Sequence, residues 1–193
     1  MAFFSTSSAY KLICNNKLSI AASPLDISSW KSLWKLKLNA RLVLFLWKIA
    51  WDLLPTKARL KSIFSIPYSE SLCPLCKTEE YSLPHLFFRC IFARVAWRSS
   101  FWPLDSLAWS FLSPPNWIKG IIHPFSSLGI PLADTHLFQI FVDVLCDLLW
   151  FFRNKAIHEG VILDVNVLAK SIRRTSLKHA VAWKSPSSMA QEF

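Results

Sequence analysis

Apolar residues recur at helical spacing in several segments that prolines and polar residues set apart. The clearest segment spans 30–54. Leu42, Phe45, Leu46, Ile49 and Leu53 follow one another at steps of three and four, with one single step, which aligns them on one helix face. Trp47 and Trp51 widen that stripe, and Lys48 and Asp52 stand four apart on another face, spaced to pair. Asn39 marks a break that separates a short element at 30–38 from the long helix, and Pro55 ends it by excluding helical backbone at Leu54. Thr56 caps a short basic helix over 57–64, closed by Pro67. A further helical stretch runs from Ser82 to about Phe101, with Pro84 near its first turn, where a missing N–H does no harm. Over 137–153, Leu137, Ile140, Phe141, Val144, Leu145, Leu148 and Phe152 face inward, and Asp143 and Asp147 face solvent. A basic helix follows over 161–183. At the start, Ser5 or Thr6 caps a short helix reaching Cys14, and 15–28 reads as a loop. Pro103, Pro114, Pro115, Pro124 and Pro131 make 103–134 an irregular segment, and the tail from Pro186 reads as disordered.

The predicted fold class is mainly α, divided into a helical domain at 1–100, a Pro/Ser-rich segment at 101–136, a helical extension at 137–183 and a tail at 184–193. The 193 residues are 53% apolar and 15% aromatic, enough for a sizeable core and too apolar for a disordered chain. The three glycines, Gly120, Gly129 and Gly160, are too far apart for a phosphate-cradling loop. The longest run free of Asp, Glu, Lys and Arg, 120–133, is shorter than the roughly 20 apolar residues of a membrane span, so no membrane partner is expected. The first residues carry no basic start and no long apolar run, so a secretory leader is not expected either, and the predicted location is intracellular, in nucleus or cytoplasm. The net charge of +10 favours anionic partners.

The five cysteines are an odd count, and three of them cluster, which argues for a metal site rather than a disulfide framework. Cys73-Pro-Leu-Cys76 is followed by His85 and Cys90, a Cys-x2-Cys-x8-His-x4-Cys pattern. Three thiolates and one imidazole close a tetrahedron around Zn2+ and leave no position for water, which makes the site structural. One geometric demand follows. Five residues along an α-helix leave about 140° between side chains, so His85 and Cys90 converge only if the helix breaks between Phe88 and Ile91. The same residues also fit a core histidine among buried thiols, or a degenerate copy that no longer binds metal. Cys14 and Cys146 sit among apolar neighbours and read as inert core thiols.

At these residues the chain resembles the plant reverse-transcriptase zinc-binding domain of non-LTR, LINE-type retrotransposon polyproteins. The similar motifs are Phe4-Ser-Thr-Ser-Ser-Ala-Tyr10, Trp30-Lys-Ser-Leu-Trp34, Phe45-Leu-Trp47, Leu54-Pro-Thr56, Arg59-Leu60, Cys73-Pro-Leu-Cys76, His85-Leu-Phe-Phe-Arg-Cys90 and Ala93 with Trp97. Trp150-Phe-Phe-Arg153-Asn154 resembles an element that often follows the domain and precedes a ribonuclease H region. Asn39-Ala40-Arg41 stands where the family usually has Pro-Pro-Lys, Ile91 where a proline often follows the last cysteine, and Glu79 and Glu80 only loosely match a glutamate before the histidine. The resemblance implies the same four zinc ligands, a fragment of a mobile-element polyprotein, and reverse transcriptase or ribonuclease H domains as neighbours.

No catalytic residues are expected. Polymerase and ribonuclease H chemistry both need clustered carboxylates, and the twelve acids here are scattered. His123, His136, His158 and His179 stand apart from acids and nucleophiles. Two function classes follow. One is a zinc-stabilised module that binds RNA or DNA through Lys31, Lys35, Lys37, Arg41, Lys48, Lys57, Arg59 and Lys61, interleaved with Trp30, Trp34, Trp47 and Trp51 and opposed only by Asp52. Arg153, Lys155, Lys170, Arg173, Arg174, Lys178 and Lys184 add a second basic region. The other is a scaffolding domain that docks on polymerase or ribonuclease H parts; an inactive mobile-element relic is a third alternative.

Overall fold

The structure, a computed structural model, describes residues 23–61, 63, 64, 67, 71–102 and 104–184. The expected helix near Ser5 and Thr6, Cys14 and the tail beyond Lys184 lie outside the described residues. Helix α1 (Ile27–Trp34) starts where the Asp26 carboxylate accepts the Ser29 N–H, and α2 (Ala40–Ala50) where the Asn39 side chain accepts the Arg41 N–H at 2.9 Å. Leu42, Phe45, Leu46 and Ile49 are buried on α2, the stripe that their spacing predicts. The helix stops earlier than Pro55 requires. Asp52 takes a left-handed backbone, φ 49°, which leaves the i,i+4 register, so its partner is Arg59 at 3.2 Å and not Lys48. Arg59 also donates to the Asp52 carbonyl. Thr56 is buried and accepts the Arg59 N–H at the start of α3 (Lys57–Lys61).

Residues 104–134 are largely helical, which corrects the expectation of an irregular stretch. Asp105 caps α5 (Ser106–Trp109), α6 (Pro114–Ile122) opens with two prolines after Ser113, and α7 (Pro124–Leu128) opens with another. A short 3-10 turn, Leu132–Asp134, precedes α8 (Thr135–His158). Pro114, Pro115 and Pro124 sit in first turns, where they preset φ and surrender only an N–H that the helix does not use. Gly120 lets the Trp109 ring come close: a Cβ there would stand 3.1 Å from it, tighter than an ordinary contact.

This segment completes the core. Phe88 stacks on Trp97, a residue of α4 (Ile91–Arg98), and meets Trp109 and Trp117 at 5.8 and 4.7 Å between ring centroids. Trp97 also touches Phe141 of α8. The Trp97 and Trp117 indoles donate to the carbonyls of Phe87 and Trp109, so their polar edges are satisfied in the interior. Helix α8 packs against α2, α4, α6 and the last helix, α9 (Val165–Lys184), and Gln139 on α8 donates to the carbonyls at the end of α6. The stretch Leu132–His158 is long and apolar enough to cross a membrane, and 56% of its most apolar part is buried inside the fold. Asp143 and Asp147 interrupt it, so its uncharged runs are short.

Asp143 is the second correction. It is fully buried, its two oxygens have no hydrogen-bond partner among the described residues, and only Asp147 of the pair reaches solvent, where it meets Arg41 at 2.7 Å. Burial first, then the Asp147 charge, push the Asp143 carboxyl well above its usual range, against the pull of Arg41. The folded chain therefore binds this proton more tightly than the unfolded chain. Asp143 stabilises the fold fully below the unfolded value of about 3.8, and that stability is lost as pH rises toward the elevated folded value. Asp143→Asn is expected to gain about 1–2 kcal/mol near neutral pH, a gain that shrinks toward zero as pH approaches 4. Denaturant unfolding of both proteins across that range checks it; a pH-independent difference would contradict it.

Candidate metal centre

The polypeptide around the first cysteine pair turns back on itself. Cys73 N–H donates to the Glu79 carbonyl at 2.7 Å, Tyr81 N–H to the Ser71 carbonyl at 2.8 Å, and Leu72 and Glu80 form an isolated antiparallel bridge. Inside this loop Lys77 N–H bonds the Cys73 carbonyl, and Lys77 takes a left-handed φ of 59°. The loop turns the Cys73 and Cys76 side chains toward one side.

The other two ligands bracket one turn: His85 opens the π-helical turn His85–Arg89, and Cys90 follows it. Cys90 N–H closes it by donating to the His85 carbonyl at 2.8 Å, an i to i+5 bond. The extra residue in this turn cancels part of the roughly 140° that separates the two side chains on an α-helix. Cys90 then leaves helical backbone, at φ −54° and ψ 139°, and α4 begins at the next residue. The break lies where convergence requires it, between Phe88 and Ile91.

The four donor atoms of Cys73, Cys76, His85 and Cys90 lie within 4.8 Å of one another. A tetrahedral Zn2+ with bonds of about 2.3 Å to sulfur sets its ligands roughly 3.8 Å apart, so the cluster is of the right size. Cys73, His85 and Cys90 are buried, and Cys76 is half-buried. His85 Nε2 lies 3.2 Å from Cys76 Sγ, and its Nδ1 meets the Glu79 carboxylate at 3.1 Å. That carboxylate occupies one ring nitrogen, fixes the ring and leaves Nε2 for the metal. Thr78 Oγ1 donates to Cys76 Sγ at 3.1 Å, and Arg89 stands 4.0 Å from Glu79. The loosely matched glutamate of the sequence reading thus has a position: it is Glu79 that supports the ligand histidine, whereas Glu80 pairs with Lys61.

The donors perturb one another as groups crowded on one point do. The hydrogen bond from Cys90 draws the Cys73 thiol down to about 4, and the same contact pushes Cys90 up. Burial opposes charge on His85, but the Cys73 and Cys76 sulfurs outweigh it and raise the imidazole to about 9. Donor type, size and supporting contacts all fit a structural zinc ion. Cys146 is buried in α8, outside the cluster.

The basic residues of the sequence reading divide into two groups. Lys31, Lys35 and Lys37 are exposed along the end of α1 and just beyond it, beside Trp34, which is 54% exposed. The others do structural work or lie deeper: Arg41 pairs with Asp147, Arg59 with Asp52 and Lys61 with Glu80, while Lys48 and Lys57 are half-buried. Trp30 stacks on Trp51 at 6.1 Å, and Trp47 packs against the core, so these three tryptophans hold the fold.

Sequence reasoning missed a second buried charged group. Arg153 of α8 is only 7% exposed and lies between the rings of Tyr81 and Trp150, 4.7 and 4.5 Å from their centroids. Its Nη2 donates to the Pro55 carbonyl at 2.9 Å. The signal was the Trp-x-x-Arg-Asn run, which carried a resemblance but no spatial meaning.

Residues 4–97 match the family described as zinc-binding in reverse transcriptase. No curated protein and no solved structure matches the chain.

Proposed function

We propose, from the match of residues 4–97 to the family described as zinc-binding in reverse transcriptase, that the chain is a non-catalytic accessory module that binds nucleic acid beside a polymerase. The zinc supplies shape and no chemistry: four protein donors fill its coordination shell, so no position remains for a substrate or a water. The observation that carries the nucleic-acid reading is the exposed trio Lys31, Lys35 and Lys37 beside Trp34. Three ammonium groups neutralise successive phosphates, and one open indole stacks on an unpaired base. A zinc site built on three cysteines accords with a reducing compartment, nucleus or cytoplasm.

Fluorescence anisotropy with a labelled single-stranded RNA tests this reading. Three phosphate contacts give a log–log salt slope of about −2. Replacing all three lysines by alanine flattens that slope, and Trp34→Ala weakens binding about tenfold without changing it. Binding that ignores salt, or that survives the triple replacement, would refute the proposal.

A further inference from the structure

On the opposite part of the sequence, α9 carries no acidic residue and lies across α8 and α4. Beside it opens a cavity of about 170 Å³, walled by Phe101, Trp102, Leu137, Phe141, Leu177 and Ala180. A dry apolar cavity of about 150 Å³ takes a benzene ring, so this one admits a single aromatic or branched aliphatic side chain. Its mouth is apolar as well: Phe101 is 70% exposed and Leu177 53%, and Val181, 67% exposed, lies on the adjoining surface. Lys170, Arg173, Arg174 and Lys178 line the surface that continues from it along α9. Arg173 sits in both places, with its guanidinium 5.4 Å from the Phe101 ring centroid.

We infer that this groove docks an acidic amphipathic segment of a partner protein, which inserts one large apolar side chain into the cavity and sets its carboxylates against the α9 cations. Charge complementarity selects the occupant. Four cations unrelieved by any acid on their own helix call for an anionic partner. Between the two anionic classes, the cavity decides. A nucleobase needs several hydrogen-bond partners, and the carboxylate at the wall, Asp134, already accepts the Trp102 indole N–H at 3.4 Å. An aliphatic or aromatic side chain needs mainly apolar walls, and the groove supplies them beside the polar Ser99, Asp134, Arg173 and Ser176, as in helix-in-groove recognition.

The test pans a phage-displayed library of random peptides on the full, zinc-loaded chain. Enriched peptides are expected to share an apolar anchor flanked by Asp or Glu. Leu177→Glu, at an exposed position, should cost them about tenfold or more in affinity while zinc content and helicity stay unchanged. Ala180→Phe, which fills the cavity from within, should do the same. Arg174→Glu should weaken binding and reduce its salt dependence. Four results would overturn the inference: no enrichment, enriched peptides indifferent to both cavity substitutions, a labelled RNA that binds the wild type and loses affinity on the same two variants, or self-association in sedimentation that Leu177→Glu abolishes.

Discussion

Replacing Cys90 by serine is expected to abolish stoichiometric zinc and cooperative unfolding together. Cys90 joins the two halves of the site, since its sulfur completes the donor set and its N–H closes the π-helical turn. Serine keeps the N–H but removes a thiolate, the donor that zinc prefers. The consequence reaches beyond the site. His85, Leu86, Phe87 and Phe88 are all buried between the ligands, and Phe88 stacks on Trp97 at the centre of the aromatic core. A structural zinc contributes on the order of 10 kcal/mol of apparent binding energy, comparable to the entire stability of a domain. Elemental analysis should fall from about one zinc per chain to a small fraction, and the sharp melt followed by circular dichroism should broaden. A chelator added to the wild-type chain should produce the same change. Cys146→Ala is the control: it removes a buried thiol outside the donor cluster and should keep the zinc at a modest cost in stability. Loss of metal with a normal melt would break the coupling between site and fold.

The ligand set was legible because metal ligation depends on donor type and short-range spacing. Even the break at Cys90 follows from the angular step of a helix. What escaped was set by tertiary contacts. Five prolines in a row of short segments look like interruption, yet Pro114 and Pro124 initiate helices because of where each first turn falls. Asp143 occupies a position that periodicity assigns to solvent, but α8 is surrounded on nearly every side, so its polar face has no solvent to meet. Tryptophan identity says nothing about exposure: Trp34 lies open, whereas Trp30 stacks on Trp51. Trp97, at the end of the family match, packs against Phe141 well beyond it, so the core does not stop at residue 97.

Arg153 is the residue through which that continuity should be most costly to lose. It sits on α8, yet it touches Tyr81, just after the cysteine loop, and the Pro55 carbonyl in the connection between α2 and α3. Three stretches far apart in sequence therefore meet on one guanidinium, which is planar and can present a face to each ring while its edge donates to the carbonyl. Opposing terms set the expected cost. Burial works against the charge and lowers the pKa of the guanidinium, and removing the charge relieves that. Against this, deletion leaves the Pro55 carbonyl without its donor, at about 1–3 kcal/mol, removes two cation–π contacts of about 1 kcal/mol each, and empties the space of the side-chain stem. The losses exceed the relief, so Arg153→Ala should destabilise the chain by about 2–4 kcal/mol. Arg153→Lys restores the charge without the plane and should recover less than half of the loss. Arg153→Met fills the space without the hydrogen bond, and its comparison with lysine separates packing from polarity. Denaturant unfolding followed by tryptophan fluorescence reads all three. A change within about 0.5 kcal/mol for alanine, typical of an ordinary surface position, would show that the clamp contributes nothing and that α8 is held to the zinc domain by apolar packing alone.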